Sequence, residues 1–296
     1  MGHLQEIQLR KDCMASLAEI MHLAGTLVFL LMSCFDKLAR GGLQPFYSWI
    51  TENADMATLW KTKTTRRIIS PSLRVGIEFF LRAIPMIEPR IYNLGRVALP
   101  PIIAYSDAEW TPAELPLLPG RGLGGCLWDD NNSFACAIVT PMDIVNSLAP
   151  RKTQIIPLEL LAAAGTLLTY SEQFAGRDVI FFIDNQSVCG ALAKGTSKSR
   201  DIQHYATAWH ILAVHLRCRV WIEWVPSEAN PADKLSREGL APFVPSSGEV
   251  DTMVLPDWAN QQKFDDINKI LDTLILQVPD CLGPSGREVQ ADVQIE

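Results

Sequence analysis

Apolar positions in the first hundred residues recur at helical spacing. From Ala15 to Arg40 that period predicts one long helix, with Gly41-Gly42 as its stop signal. Ser70-Pro71 predicts the start of a second helix reaching about Ile84, with Ser as the cap and Pro in the first turn. Pro100-Pro101 breaks the pattern and marks a domain boundary. Beyond it the period shortens. Ile102 to Ser106 is an apolar run ending at Asp107, and Leu123–Leu127 and Phe134–Val139 flank Asp129-Asp130-Asn131-Asn132 as a hairpin. A helix follows from Pro157 to about Phe174, and Val179–Ile183 has the length and β-branched, aromatic make-up of a buried central strand. A short helix at 187–193, a longer one from about Arg200 to Arg217, a strand at Val220–Val225 and a short helix at Pro231–Arg237 complete the order β-β-β-α-β-α-α-β-α. Such an order predicts an α/β fold, a mixed sheet covered by helices, preceded by a small helical domain. The expected division is 1–100 helical, 101–240 α/β, and 241–296 an acidic tail with one helix near Phe264–Val278.

The net charge of −7 hides an asymmetry. Residues 246–296 hold ten acids and three bases, residues 1–96 twelve bases and eight acids, and residues 97–245 eleven bases and fifteen acids. A basic front beside an acidic middle suits a nucleic-acid track next to carboxylates neutralised by metal. Lys61, Lys63, Arg66 and Arg67 form the basic cluster of the front half, which reads either as a solvated loop or as a phosphate-contacting strip. Seven scattered cysteines without a CxxC pair suit a reducing compartment, and the Leu23–Phe35 apolar stretch is too short for a bilayer. A soluble intracellular protein with no membrane partner is expected, cytoplasm and nucleus being indistinguishable. Cys126 and Cys136 are placed across the hairpin as a free pair, and Trp209, Trp221 and Trp224 as core packing.

Four acids stand where core elements end. Asp107 and Asp184 each close an apolar strand, at the carboxyl ends where open α/β sheets place their sites. Glu159 lies in the first turn of a Leu/Ala-rich helix, and Asp233 begins the last short helix. Singly, each has an ordinary explanation as a turn former or a helix-dipole partner. Together they form a carboxylate cluster, which repels itself unless cations hold it, and oxygen-only ligands suit Mg²⁺ or Mn²⁺.

The series Tyr105-Ser106-Asp107-Ala108, Pro157-Leu158-Glu159-Leu160, Phe182-Ile183-Asp184-Asn185 and Asn230-Pro231-Ala232-Asp233 with Ser236-Arg237 resembles the ribonuclease H family. The segment Ala191–Ser199 and the compact ending from Trp224 to Arg237 are most similar to ribonuclease H domains of DIRS-like retroelements, and residues 15–85 resemble the thumb-to-connection part of such a reverse transcriptase. The resemblance implies a ribonuclease H-like fold, an RNA/DNA hybrid as substrate, and two Mg²⁺ ions held by Asp107, Glu159, Asp184 and Asp233. It also implies that Asn185, Lys194, Lys198 and Arg200 line the nucleic-acid groove, and that the polymerase portion is a partner. Two departures stand out: Trp224–Asp233 holds no His, and the Thr111–Gly122 stretch lengthens the first gap. A catalytically inactive scaffold or binding module is the alternative class, and an integrase-like or exonuclease domain a third reading.

Overall fold

The computed structural model describes residues 2–9, 12–32, 38–54, 63–86, 99–110, 122–260 and 267–277. Its front half is helical. Helix α1 (Gly2–Leu9) precedes strand β1 (Met14–Ser16), which pairs antiparallel with β2 (Arg66–Ile68). Helix α2 (Leu17–Met32) opens with a reciprocal cap: Glu19 N–H donates to Ser16 Oγ at 3.2 Å, and Ser16 N–H to Glu19 Oε2 at 2.7 Å. Helix α4 (Pro71–Ala83) begins where the sequence placed it, with Ser70 Oγ accepting from Leu73 N–H at 3.2 Å.

The glycine pair does not stop a helix. Helix α3 (Leu38–Asn53) runs straight through Gly41 and Gly42. A Cβ on Gly42 would lie 2.5 Å from the Phe79 ring, and one on Gly41 would lie 2.0 Å from Thr207 Oγ1. Both glycines therefore serve close approach between elements, a use that local sequence does not separate from a C-terminal cap.

The middle of the chain builds one six-stranded sheet. Its strands are β3 (Ile102–Ala108), β4 (Gly122–Asp129), β5 (Asn132–Val139), β6 (Asp178–Ile183), β7 (Arg219–Trp224) and β8 (Asp251–Thr252), in the order β7-β6-β3-β4-β5-β8. β4 runs antiparallel to β3 and β5, while β6 is parallel to β3 and to β7. The sheet is mixed; β3 to β7 follow the strand order expected from the sequence, and β8 is an addition to it. The hairpin turns at Asp130, whose φ of 54° is left-handed, and Arg177 clamps Asp129 through two bonds of 2.8 and 3.1 Å.

Helix α5 (Met142–Ser147), a short turn the sequence reading did not anticipate, leads to α6 (Ile155–Thr169). Leu158 to Leu168 of α6 are all buried, because the helix is clamped between the sheet and α9 (Arg200–His215). Pro157 sits in its first turn, where its missing N–H costs nothing. A separate turn, α7 (Ser171–Phe174), finishes the predicted span. Helix α8 (Gln186–Lys194) is capped by Asn185 and closed by Gly195 at φ 66°. Helix α10 (Ala232–Glu238) lies on the opposite face, against β3 and β4.

Two side-chain expectations fail. Trp209 is buried, but Trp221 is 67% and Trp224 43% exposed, because β7 is the edge strand and, among the described residues, no strand lies outside it. Cys126 and Cys136 are free but do not face each other. Cys136 pairs with Gly125 and Cys126 with Ala135, so the two thiols point to opposite sides of the sheet.

Residues past 240 join the same core. Asp251 and Thr252 form the parallel edge strand β8, and Tyr170 donates its hydroxyl to Asp251 Oδ2 at 2.9 Å. Trp258 is fully buried beside Tyr205, whose hydroxyl donates to the Ala259 carbonyl at 2.6 Å. Helix α11 (Ile267–Gln277) packs on α4 and α9, with Arg82 paired to Asp272. The Thr111–Gly122 loop falls outside the described residues up to position 121. Among the described residues, no helix is long and apolar enough to cross a membrane.

Candidate active site

Parallel pairing of β3 with β6 decides the site. Ser106 is in register with Ile183, so the next residues, Asp107 and Asp184, emerge side by side at the carboxyl ends of the two strands. Glu159 comes from the first turns of α6, and one carboxylate oxygen from each of the three lies within 4.8 Å of the others. Asp107 and Glu159 are buried, while Asp184 is half-buried. Asp233 stands next to this group without belonging to it. It is the second residue of α10, and its Oδ1 takes the Arg237 guanidinium at 2.9 Å one helical turn on.

Electrostatics in this cluster are unfavourable as they stand. Burial pushes the Asp107 carboxyl up to about 7; the Ser236 hydroxyl and Arg237 pull it down, while Asp184 and Asp233 push it further up. Burial also holds Glu159 well above the usual range, reinforced by Asp107 and Asp184 and opposed by the Ala108 backbone N–H. Glu159 Oε2 is buried without a hydrogen-bond partner. Three converging carboxylates with an orphaned oxygen fit a divalent cation well. The Ser236 hydroxyl, Arg237 and the Ala108 N–H offset only part of the cost of burying them.

Neighbouring residues fix the geometry. The Ser236 hydroxyl donates to Asp107 Oδ2 and lies 2.9 Å from the Asp233 carbonyl, tying α10 to β3. Asn230 donates through Nδ2 to the Ser106 carbonyl at 3.0 Å, and its Oδ1 accepts from Ala232 N–H at 3.1 Å. Helix α10 can approach so closely because β4 presents glycine there. A Cβ on Gly122 would sit 1.6 Å from Ser236 O, and one on Gly124 would sit 2.6 Å from Ser236 N. Trp224 donates its indole N–H to the Asp184 carbonyl at 2.8 Å, holding the end of β6. The sequence showed Asn230, Ser236 and Trp224 as parts of motifs but not these roles, which depend on contacts between distant segments.

About half of the chain is similar to two solved structures. The N-terminal RNase H domain of a Mycobacterium tuberculosis protein, solved as a fusion with maltose-binding protein, matches 47% of this chain and 91% of its own, at 16% identity and a TM-score of 0.34. RNase H1 from the halophilic archaeon Halobacterium salinarum matches 48% of this chain and 95% of its own, at 17% identity and a TM-score of 0.32. No protein-family model matches the chain, and no curated protein matches it.

The expected nucleic-acid contacts fall in two places. Asn185 uses its Oδ1 to cap α8, accepting from Ser187 N–H at 3.0 Å and Val188 N–H at 3.4 Å. Lys194 at the end of α8, Lys198 in the connection that follows and Arg200 at the start of α9 are all exposed. Arg151 anchors that connection by pairing with the buried Asp201. Burial pushes the Asp201 carboxyl up, but Ser199, Arg151 and the Ile202 N–H outweigh it and hold the group below its ordinary value. In the front half, Arg66 pairs with Asp12 at 2.8 Å, and Arg67 donates to the Asn53 carbonyl at 2.5 Å. The Lys63 carbonyl accepts from Ala18 N–H at 2.8 Å, and Lys61 lies outside the described residues.

Proposed function

We propose that this chain is a nuclease that hydrolyses the RNA strand of RNA/DNA hybrids with two divalent cations, Mg²⁺ or Mn²⁺. The observation that carries this reading is the convergence of Asp107, Glu159 and Asp184 from three separate elements to within 4.8 Å. These three, with Asp233 beside them, would hold the ions, which when bound supply a nucleophilic water and stabilise the departing oxygen of a phosphodiester. Asp107 and Glu159 must lose their protons to serve, and cation binding drives that loss. Ser236 orients Asp107, and Trp224 and Asn230 hold the strand ends from which Asp184 and Asp107 project. Lys194, Lys198 and Arg200 would take phosphates of the bound hybrid, and Asn185, next to Asp184 in sequence, would contact it as well. The resemblance of the 191–199 and 224–237 segments supports a place in a retroelement reverse transcriptase, with the polymerase portion as partner.

The test is cleavage of a hybrid with a labelled RNA strand, beside duplex DNA and duplex RNA, with and without Mg²⁺. Cleavage of the RNA strand in the hybrid alone, and only with metal, is expected. Asp184→Asn is expected to lower the rate at least about a thousandfold while keeping hybrid binding. Metal-independent cleavage, or a near wild-type rate in that variant, would refute the assignment.

A further inference from the structure

Strand β7 closes one side of the sheet, and no described element pairs with its outer edge. Arg219 N–H bonds the Arg177 carbonyl at 2.9 Å and Val225 N–H bonds the Ile183 carbonyl at 3.2 Å, so the odd-numbered residues turn their amides inward, toward β6. Val220 and Ile222 consequently turn their N–H and C=O groups outward, where a further strand would pair.

The side chains on this edge carry a particular pattern. Arg219, Trp221 and Glu223 share one face of the sheet by strand alternation. Trp221 lies at their centre and is the most exposed tryptophan among the described residues, at 67%. A positive charge stands two residues before it and a negative charge two residues after. This arrangement is its own complement when read antiparallel. Arg219 keeps a bidentate pair with Asp178 at 2.5 and 2.7 Å, and both side chains remain 40% exposed. Glu223 accepts from the Trp221 indole at 3.1 Å and is itself exposed.

We propose that two copies of this chain associate through their β7 edges, antiparallel and centred on Trp221, joining two six-stranded sheets into one. In that register Arg219 of each copy faces Glu223 of the other, and Trp221 faces its own copy. The backbone parity fits the same centre. Val220 falls opposite Ile222 of the second copy as a hydrogen-bonded pair. Trp221 falls in the narrower, non-bonded position, where Cα atoms approach to about 4.5 Å. Because β3, β6 and β7 run parallel, the two carboxylate clusters lie toward opposite ends of the joined sheet.

Sedimentation equilibrium on the full chain, from about 1 to 100 μM at physiological salt, is expected to show a species of twice the 32.9 kDa chain mass. Glu223→Arg sets like charges opposite each other twice and is expected to weaken that association about tenfold or more. Trp221→Cys keeps the charges and places a thiol on the two-fold axis, within disulfide reach of its own copy. Mild oxidation should then join the two introduced thiols in an intermolecular disulfide, identified by peptide mass spectrometry. The proposal is overturned by a monomer at every concentration, by a dimer indifferent to Glu223→Arg, or by oxidised Trp221→Cys protein without that crosslink.

Discussion

Ser236 donates its hydroxyl to Oδ2 of Asp107, and 129 residues of sequence separate the two. This bond joins the helix that carries Asp233 to the strand that carries Asp107. It is made in the buried space that Gly122 and Gly124 leave open. Ser236→Ala is expected to leave the fold in place and to weaken Mn²⁺ binding or hybrid cleavage about 10–100-fold, the usual effect of removing a partner that orients a metal ligand. Titration calorimetry and a cleavage assay check this. Unchanged values in both would show that Asp107 needs no such partner.

The raised Asp107 carboxyl makes stability depend on pH. Its folded value of about 7 lies above the ordinary 3.8, so the folded chain binds this proton more tightly than the unfolded chain. Between about pH 4 and pH 7 the unfolded state holds fewer protons, and stability falls as pH rises. The loss from this group is on the order of 4 kcal/mol once both states are ionised. Glu159, also held high by burial, acts in the same direction. Thermal melts of the metal-free protein should therefore show a falling Tm over this window. Asp107→Asn should flatten the fall, and excess Mg²⁺ should oppose it. A Tm that rises from pH 4 to pH 7 would contradict the burial of these carboxylates.

Much of this was legible in the sequence because the strands advertise themselves. Ile102–Ser106 and Val179–Ile183 are apolar runs stopped by an Asp, and the sheet needs both buried and parallel, so their ends meet. Glu159 was legible because its helix is apolar on every side. Gly41-Gly42 misled because a stop signal and a close crossing use the same residue for the same reason, the lack of a Cβ. Trp221 and Trp224 misled because burial of a strand depends on whether another strand lies outside it, which is a property of the sheet order. The Ser236–Asp107 contact could not be read locally at all.

The basic residues separate binding from chemistry. Replacing Lys194, Lys198 and Arg200 by Gln removes charge around the α8–α9 connection without touching a carboxylate. Hybrid affinity at low salt should fall, and the slope of log affinity against log salt should flatten by roughly 0.9 for each phosphate no longer neutralised. The same replacement of Lys61, Lys63, Arg66 and Arg67 tests the front cluster, and a change of up to about three units is expected if it guides the hybrid. Arg66 and Arg67 already bond Asp12 and Asn53, so their loss should also lower the Tm. Salt-dependent binding by fluorescence anisotropy, beside thermal melts, distinguishes the two roles. An unchanged slope in both variants would remove these residues from the nucleic-acid track.

Trp258 tests whether the segment past residue 240 belongs to the folded body. Composition alone presents that segment as an acidic tail, yet the Trp258 side chain is fully buried and its ring lies 6.0 Å from that of Tyr205 on α9. Just before it, Met253 fills the space over Gly165 of α6, where a Cβ would come within 2.6 Å of the sulfur. These contacts join the tail to the two long helices that cover the sheet. Trp258→Ala removes a large buried ring from a site that cannot fully collapse, which costs roughly 3–5 kcal/mol. Denaturant unfolding should show that loss as a lower midpoint with a similar slope, since the same surface is exposed on unfolding. Trp258 itself packs against Tyr205 of α9, which carries none of the three carboxylates, so Mn²⁺ affinity under folding conditions should hardly change. If the variant unfolds at the wild-type midpoint, the tail is an appendage, and the body ends near Gly239.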